Sequence, residues 1–373
     1  MRLRNRILGI IAIVLVLAFT SLAVAISYTS SCGAAAPLPA GTASMKGLVA
    51  RCYGAPDVLT VEQVAKPTPA DDQLLVRVHA ASLNPVDWHT MRGSPYLMRL
   101  SSGIGTPDDV RVGVDFAGTV EAVGKSVTRF KPGDEVFGGA GGSVAEYVVV
   151  RESRAVTLKP PNMSFEQAAS VPVAAITALQ GLRDQGTIKA GQKVLINGAS
   201  GGVGTFAVQI AKHYGADVTG VCSTRNVELV RSLGANRVID YTKEDFTQGN
   251  EQYDLILDNV SNRSLSELRR VLKPTGHLVI VGAEKGDWIG PLMPVIRASV
   301  VAPFVDQKMG FFIAQLEQGD LKLLGDLMQS GAMTPVIDRR YAFDEAAQAM
   351  AYLETGRARG KVIVDVEPVR PQS

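Results

Sequence analysis

The stretch INGASGGVG, residues 196–204, decides the fold of this chain. It closes a short apolar run, residues 193–197, and opens a segment whose apolar residues recur at spacings of three and four, as on one face of a helix. A strand, a glycine turn and a helix N-terminus present unpaired backbone N–H groups and a positive dipole end to a pyrophosphate. Gly201 and Gly204 match the pattern GxGxxG, although Ala199 replaces its first glycine. We therefore predict a dinucleotide-binding turn here.

The character of the sequence changes on either side of this turn. Before it, short strand-like runs alternate with turn signals such as KPGD at residues 131–134, which is typical of a mostly β domain. From about residue 171, short apolar runs alternate with helical patterns, which indicates a parallel sheet covered on both faces. We predict this division: a leader at 1–26, a linker at 27–44, a β-rich domain at 45–170 completed by 306–366, a nucleotide-binding domain at 171–305, and a polar tail at 367–373.

The first 26 residues have the pattern of an address or an anchor. Three arginines, at positions 2, 4 and 6, precede the apolar run 7–19, and Ala23-Val24-Ala25 has the form of a signal-peptidase site. About 20 mostly apolar residues also suffice for one transmembrane helix. We predict a cleaved signal peptide or a membrane anchor, and hence an exported or membrane-anchored protein. The alternative is a cytoplasmic protein whose translation starts at Met45.

Composition limits the class of partner. The 373 residues are 46% hydrophobic and 20% charged, and the formal net charge is only +2. So small a net charge produces no strong electrostatic field that would attract nucleic acid. We therefore predict a small-molecule partner and no binding of nucleic acid. The three cysteines, Cys32, Cys52 and Cys222, include no CxxC pair, so no disulfide framework or cysteine-rich zinc lobe is predicted. Cys52 and Cys222 are interpreted as inert packing residues.

Several motifs together carry a family resemblance over residues 45–366. SLNPVDW at 82–88, GVDFAGTVEAVG at 113–124 and FKPGDEVFG at 130–138, with the glycine turn, resemble the medium-chain dehydrogenase/reductase superfamily. The chain is most similar to its zinc-independent quinone oxidoreductase branch, which includes zeta-crystallin. The resemblance implies an α/β fold, with a GroES-like, β-rich catalytic domain and a Rossmann domain built on a doubly wound parallel sheet. It also implies that the C-terminal segment returns to complete the catalytic domain.

The resemblance bears on metal binding. In the zinc-dependent relatives, a cysteine and a histidine stand where this chain has Asn84 and Val114. The four histidines are scattered, and a catalytic zinc needs about three protein ligands, so we predict no metal. Without a Lewis acid to stabilise an alkoxide, activated acceptors become favoured. We predict hydride transfer from NADPH to a quinone or an α,β-unsaturated carbonyl. Two alternatives stay open: a zinc-type alcohol dehydrogenase, and a non-catalytic nucleotide-binding sensor or scaffold at a membrane.

Three residues are candidates for catalysis. By resemblance, Asn84 and Asp87 line the floor of the cleft near the nicotinamide, and Tyr96 is the candidate for a mobile proton donor or substrate contact. Local structure offers other interpretations of the first two. Asn84 with Pro85 can form a turn at a strand end, and Asp87 can be the N-cap of a helix over residues 88–91.

The residues that follow the second predicted strand favour NADP(H) over NAD(H). NAD enzymes place an acidic residue about 20 positions beyond the turn, where it accepts hydrogen bonds from the hydroxyls of the adenosine ribose. Here Ser223 and Arg225 stand there, and both can bind a 2′-phosphate, while Tyr241 resembles the family tyrosine that closes over it. The predicted cofactor-binding residues are Thr177, Ala199, Ser200, Gly201, Gly202, Val203, Ser223, Arg225, Tyr241, Asn259, Val281 and Gly282.

An assembly is also predicted. Relatives often pair through the edge of the nucleotide-binding sheet, and the apolar run 290–305 lies where that contact would form. We therefore predict a homodimer.

Overall fold

The computed structural model describes residues 2–283 and 286–367. Its strands are β1 (Ser44–Ala50), β2 (Leu59–Ala65), β3 (Gln73–Leu83), β4 (Asp115–Val123), β5 (Glu135–Gly139), β6 (Tyr147–Arg151), β7 (Val156–Leu158), β8 (Lys193–Asn197), β9 (Asp217–Cys222), β10 (Arg237–Asp240), β11 (Tyr253–Asp258), β12 (Leu272–Ile280), β13 (Lys308–Phe311), β14 (Ile337–Ala342) and β15 (Lys361–Asp365). Its helices are α1 (Arg2–Ser27), α2 (Pro85–Arg92), α3 (Arg99–Ser102), α4 (Phe165–Ala169), α5 (Pro172–Gln180), α6 (Gly202–His213), α7 (Val227–Ser232), α8 (Leu265–Arg270), α9 (Met293–Val301), α10 (Gln318–Gln329) and α11 (Ala346–Glu354).

The strands form two large sheets. A six-stranded sheet has the order β10-β9-β8-β11-β12-β13, and every pair in it is parallel. A seven-stranded, mixed sheet has the order β14-β15-β3-β4-β5-β7, with β6 also pairing with β3, and β1 pairs with β2 beside it. Strands β14 and β15, at the C-terminal end, thus complete the sheet begun by the N-terminal half. The predicted α/β fold, with a GroES-like domain and a Rossmann domain, is confirmed.

The parallel sheet forms because its strands are apolar along nearly their whole length. In β8, β9 and β11 almost every side chain is buried, as expected for strands that helices cover on both faces. Helix α6 packs closely on the start of this sheet. A Cβ on Gly204 would lie 2.1 Å from the carbonyl oxygen of Gly198, so only glycine lets the helix approach the strand this closely.

One domain boundary differs from its prediction in detail. Strand β13 begins at Lys308, beyond residue 305 where the nucleotide-binding domain was predicted to end, and it pairs in parallel with β12. The other predicted bounds stay proposals for where one domain gives way to the next. The predicted tail, apart from Glu367, lies outside the described residues.

The segment that follows α1 is fastened to the β-rich domain. The buried guanidinium of Arg99 donates to the carbonyl oxygens of Ile26, Ser27 and Tyr28 at 2.9–3.2 Å. These carbonyls belong to the C-terminal end of α1, where orphan carbonyls need donors and where the helix has no basic residue of its own. Thr29 then forms a parallel bridge with Gly105. Arg99 therefore caps α1 from another part of the chain.

A disulfide adds a covalent attachment at the same place. Cys32 is bonded to Cys52, although the sequence predicted no disulfide framework and an inert role for Cys52. Cys222 is free and buried. The prediction failed for Cys52 because three unevenly spaced cysteines give no pairing signal, whereas the docking of residues 26–30 brings Cys32 beside β1.

The prediction for residues 1–26 is also corrected. No helix formed by residues that the structure describes is both long and apolar enough to cross a membrane. The predicted membrane anchor or export signal, and the membrane-anchored or exported location inferred from it, are thus contradicted. The structure instead fastens the end of α1 to the β-rich domain, where Ile26 is only 2% exposed.

Candidate active site

The glycine turn lies between β8 and α6, as predicted. Gly201 is the N-cap of α6, and because it has no side chain, it makes no side-chain cap to the first N–H groups of the helix. Ala199 is buried beneath the turn, whereas Ser200, Gly202 and Val203 are partly exposed on it. Unpaired N–H groups at a helix N-terminus, with no Cβ in front of them at Gly201, fit a pyrophosphate. The residues present therefore fit a dinucleotide.

The structure brings the predicted 2′-phosphate residues close to this turn. Asn226 donates to the hydroxyl oxygen of Ser200 at 2.9 Å and to that of Ser223 at 3.3 Å, which ties the end of β9 to the turn. Arg225 is exposed, and its Nη2 donates to the carbonyl oxygen of Arg357 at 2.8 Å. Tyr241 is 52% exposed and follows the end of β10. Its closure over a bound 2′-phosphate stays a prediction.

Sequence reasoning missed one carboxylate at this place. Asp240, at the end of β10, pairs in register with Cys222, so it lies beside Ser223 and Arg225. Its carboxylate already accepts from the hydroxyl of Thr224 at 2.6 Å, and from the backbone N–H and hydroxyl of Thr242 at 3.0 and 2.8 Å. The Thr224 hydrogen bond is the main cause that lowers the pKa of Asp240 to about 2. Because these donors already occupy its lone pairs, the ionised Asp240 is less available to ribose hydroxyls.

Three more predicted cofactor residues meet at the carboxyl ends of β11 and β12. Val281 and Gly282 both donate their N–H groups to the carbonyl oxygen of Asp258, at 2.9 and 3.0 Å. Asn259 donates from Nδ2 to the Asn197 carbonyl oxygen, while its buried Oδ1 has no hydrogen-bond partner among the described residues. A buried acceptor without a donor is costly, which suits a site that a ligand donor completes.

Thr177 is the exception among the predicted cofactor residues. It lies in α5, and its hydroxyl donates to the Val173 carbonyl oxygen one turn earlier, at 2.7 Å. The hydroxyl is therefore engaged within its own helix, and its role toward the cofactor stays a prediction.

The residues predicted for the floor of the cleft belong to a buried polar cluster. Asn84 donates from Nδ2 to Asp115 at 2.8 Å, and its Oδ1 accepts from the ammonium of Lys361. Asp115 also accepts the backbone N–H of Val173, at 3.0 Å. Asn84, Asp87, Asp115 and Lys361 are each at most 3% exposed. Because Lys361 can only donate and an ionised Asp115 can only accept, the orientation of the Asn84 amide is fixed.

Asp87 has a different local role from the one expected of an N-cap. Helix α2 begins at Pro85, so Asn84 is the N-cap and Asp87 is the third residue of the helix. The Asp87 carboxylate reaches back to accept the backbone N–H of Asn84 at 2.7 Å, which is the reciprocal half of a capping box. The helix therefore starts three residues earlier than the alternative interpretation placed it, and both residues act in its first turn.

Burial changes the protonation of this floor. It raises the pKa of Asp87 to about 7, and the nearby negative charge of Asp115 adds to the effect. Burial likewise raises the pKa of Asp115, against the opposing influence of the Lys361 ammonium. Since Oδ2 of Asp87 accepts the Asn84 N–H, the proton of a neutral Asp87 sits on Oδ1.

The pH dependence of the free energy of unfolding should reveal the raised pKa of Asp87. Between its ordinary value of 3.8 and about 7, the folded state keeps a proton that the unfolded state releases. Raising the pH through this window therefore destabilises the wild type relative to Asp87→Asn, by up to about 1.4 kcal/mol per pH unit. Chemical denaturation of both proteins at several pH values between 4 and 7.5 measures the difference. A constant difference across the window would contradict the raised pKa.

Tyr96 lies apart from this floor. Its backbone N–H donates to the Asp287 carbonyl oxygen at 2.7 Å, and its ring meets Trp288 edge-on at a centroid distance of 5.0 Å. The Arg99 guanidinium lies 4.6 Å from the centre of the ring. The described contacts of Tyr96 thus lead to α3 and to the segment before α9, and none joins it to Asn84 or Asp87. Its role as a proton donor or substrate contact stays a prediction.

Two family models match the chain. The "Alcohol dehydrogenase GroES-like domain" matches residues 70–160, and "Zinc-binding dehydrogenase" matches residues 233–364. The second description implies a metal, but the donor set does not fit one. Within residues 2–283 and 286–367, no group of three or more His, Cys, Asp or Glu side chains could hold a metal ion. Asn84, which the resemblance matches to a cysteine of the zinc-dependent relatives, is instead hydrogen-bonded to both Asp115 and Lys361.

Curated proteins and solved structures resemble the chain over most of its length. It is 37% identical over 332 residues to the 2-methylene-furan-3-one reductase of Solanum lycopersicum, covering 85% of this chain and 78% of that protein. It is 36% identical over 336 residues to the chloroplastic NADPH-dependent alkenal/one oxidoreductase of Arabidopsis thaliana, covering 86% and 79%. The quinone oxidoreductase structure from Coxiella burnetii aligns with a TM-score of 0.76 at 31% identity, covering 87% of this chain and 100% of that one. The chain therefore belongs to the medium-chain dehydrogenase/reductase superfamily, within its zinc-independent quinone oxidoreductase-like branch.

Proposed function

We propose that this protein is an NADPH-dependent reductase that transfers hydride to a quinone or an α,β-unsaturated carbonyl without zinc. The observation that carries the proposal is the state of Asn84, a neutral amide held between Asp115 and Lys361 where zinc-dependent relatives have a ligand. A site that lacks a Lewis acid suits an acceptor that delocalises its own charge. The names of the tomato and Arabidopsis relatives support an enone or enal as acceptor.

In this proposal, one set of residues binds NADPH and another acts on the acceptor. When bound, NADPH supplies the hydride, which leaves an enolate or phenolate on the acceptor. The N–H groups at the start of α6 hold the pyrophosphate, and Ser223 and Arg225 hold the 2′-phosphate. Asp87, whose pKa of about 7 keeps it neutral in mildly acidic solution, holds a proton on Oδ1 at the floor. Hydrogen-bond donors of this kind stabilise the oxygen anion that forms.

The proposal is tested with the full-length protein, NADPH and a panel of acceptors. Quinones, enals and enones are expected to be reduced, whereas simple ketones, and alcohols offered with NADP⁺, are expected to react poorly or not at all. NADPH binding is measured separately by fluorescence titration. Binding without turnover of any acceptor would refute the reductase and support a nucleotide-binding sensor. Stoichiometric zinc by elemental analysis, with alcohol oxidation, would support the alcohol dehydrogenase alternative.

We also propose a homodimer that forms through the edge of the parallel sheet. Strand β13 is the last strand of its sheet, so its outer backbone groups are available to pair with a second copy. Large apolar side chains are exposed near this edge: Val300 by 64%, Phe304 by 84%, Phe311 by 42% and Ile313 by 73%. Such exposure is typical of an interface.

The dimer is tested by light scattering at micromolar concentration. The wild type is expected to have the mass of a dimer, and Phe304→Asp is expected to shift it toward the monomer. Leu158→Asp is the control, because Leu158 is also exposed, by 55%, but lies in β7 on the other sheet. A monomeric wild type, or equal effects of the two variants, would contradict the proposed interface.

A further inference from the structure

Lys361 connects the cofactor turn to the cleft floor, and neither the sequence motifs nor the resemblance singles it out. It is the first residue of β15 and is only 2% exposed. Its ammonium donates to Oδ1 of Asn84 and lies 3.5 Å from Oδ2 of Asp115. A buried ammonium is costly unless it is paired, so these two partners hold the side chain in one orientation.

The backbone of the preceding residue, Gly360, touches the glycine turn. The N–H of Gly360 donates to the Ser200 carbonyl oxygen at 2.9 Å, and Gly360 forms a parallel bridge with Gly201. A Cβ added to Gly202 would lie 3.3 Å from Cδ of Lys361, so the lysine stem runs directly behind the turn. Gly360 itself has a φ of +93°, and a Cβ there would meet the Val336 carbonyl oxygen at 2.2 Å. Only glycine allows this approach, which fixes where Lys361 begins.

The protonation of the Asp87 and Asp115 carboxyl groups also depends on Lys361. The Asp115 and Asp87 carboxyl groups are both buried, and the positive charge of Lys361 opposes the rise in pKa that burial causes in each. Without this ammonium, both carboxyl groups would keep their protons to a higher pH. Asn84 would also lose the donor that fixes its amide. Lys361 thus controls both the geometry and the protonation of the floor.

We propose that Lys361 is a positioning residue that sets the cofactor turn and the acceptor floor together. Its stem supports the turn at Gly202, and its ammonium orients Asn84 and holds the charge balance of Asp87 and Asp115. Hydride transfer needs the cofactor and the acceptor in one fixed geometry, and a single rigid side chain that contacts both supports can provide it. This inference rests on the proposed reductase for its kinetic readout, but its binding readout does not depend on turnover.

The test compares Lys361→Met with Lys159→Met in the full-length protein. Lys159 is a matched control, because its side chain is also buried, at 5% exposure, but it bonds the carbonyl oxygens of Pro160 and Met163, away from the turn. For Lys361→Met, per folded molecule, we expect NADPH Kd to rise about threefold to tenfold and kcat to fall by about tenfold or more. In the pH profile of kcat, the limb that reports the titration of Asp87 and Asp115 should move to higher pH. Lys159→Met should change none of these.

A second variant keeps the test valid if Lys361→Met does not fold. Asp115→Asn is nearly isosteric and removes a negative charge beside Asp87, so kcat should fall while the same limb moves to lower pH. In the double variant that combines Lys361→Met with Asp115→Asn, the fold loss of kcat should be smaller than the product of the two single losses. Both substitutions act through Asn84, so their effects are not independent. Unchanged Kd, kcat and pH profile in folded Lys361→Met, matching Lys159→Met, would overturn the proposal. If the wild type binds NADPH but reduces no acceptor, the proposed reductase function fails, and the role of Lys361 is then judged from the NADPH Kd alone. An unchanged Kd in Lys361→Met would overturn that role.

Discussion

Replacing Arg225 with alanine is expected to weaken NADPH binding by about tenfold to a hundredfold and to leave NADH binding nearly unchanged. Hydrogen bonds to charged groups contribute roughly 1.5 to 3 kcal/mol, and only NADPH carries the 2′-phosphate that Arg225 would contact. The Arg225 side chain is exposed near Ser223, and its hydrogen bond from Nη2 to the Arg357 carbonyl oxygen leaves other N–H groups of the guanidinium for a phosphate. The nearby Asp240 carboxylate lies 3.4 Å from the ammonium of Lys243, whose opposite charge reduces its repulsion of a phosphate.

Titrations of both cofactors into the wild type and two variants measure this effect. Arg231→Ala is the matched control, because Arg231 is an exposed arginine on the following helix, α7, and its described partner is Glu228. Its loss should leave both affinities within about twofold of the wild type. Equal losses for NADH and NADPH in Arg225→Ala, or a wild-type preference for NADH, would show that the site does not recognise the 2′-phosphate.

Arg99→Ala is expected to lower the free energy of unfolding by about 3 kcal/mol. Arg99 is 3% exposed as a residue. Its guanidinium donates to five backbone carbonyl oxygens and lies against two aromatic rings, those of Tyr53 and Tyr96. Removing it leaves the buried carbonyl oxygen of Ile26 and its two neighbours without this donor, and it also leaves a cavity. Arg99→Lys should retain part of the stability, because lysine keeps the charge but not the planar fork.

Chemical denaturation under one set of buffer conditions measures these differences. Arg77→Ala is the control, since Arg77 is 43% exposed at the side chain and forms a surface ion pair with Glu367. Such pairs contribute about 0–1 kcal/mol, so this variant should be close to the wild type. If Arg99→Ala were as stable as Arg77→Ala, the proposed capping of α1 by Arg99 would be wrong.

The parts of the fold that local sequence could predict are those that local chemistry determines. The glycine turn, the buried parallel strands and the start of α6 all depend on residues within about ten positions of one another, so their pattern is visible in the sequence. The family resemblance then supplied the order of the two domains. It also identified Asn84 and Asp87, which the structure joins by a hydrogen bond at the start of α2.

The missed features depend on contacts between distant parts of the chain. Lys361 reaches Asn84 across 277 positions, and a lysine at the start of the apolar run 361–364 was the one local signal that a buried charge was present. The Cys32–Cys52 disulfide depends on how residues 26–30 dock, which no spacing rule gives. The prediction for the N-terminal residues was wrong because an apolar run has the same composition whether it forms an anchor or a helix with a docked end.

The Cys32–Cys52 disulfide has a topological consequence. Together with the peptide chain between the two cysteines, it closes a covalent ring that contains β1, and β1 is paired along its length with β2. The irregular linker at 33–43 is part of this ring. A protease that cleaves the linker opens the ring but leaves the N-terminal fragment attached through sulfur. After a cut in this linker, release of α1 from the protein therefore requires a second chemical event, reduction of the disulfide.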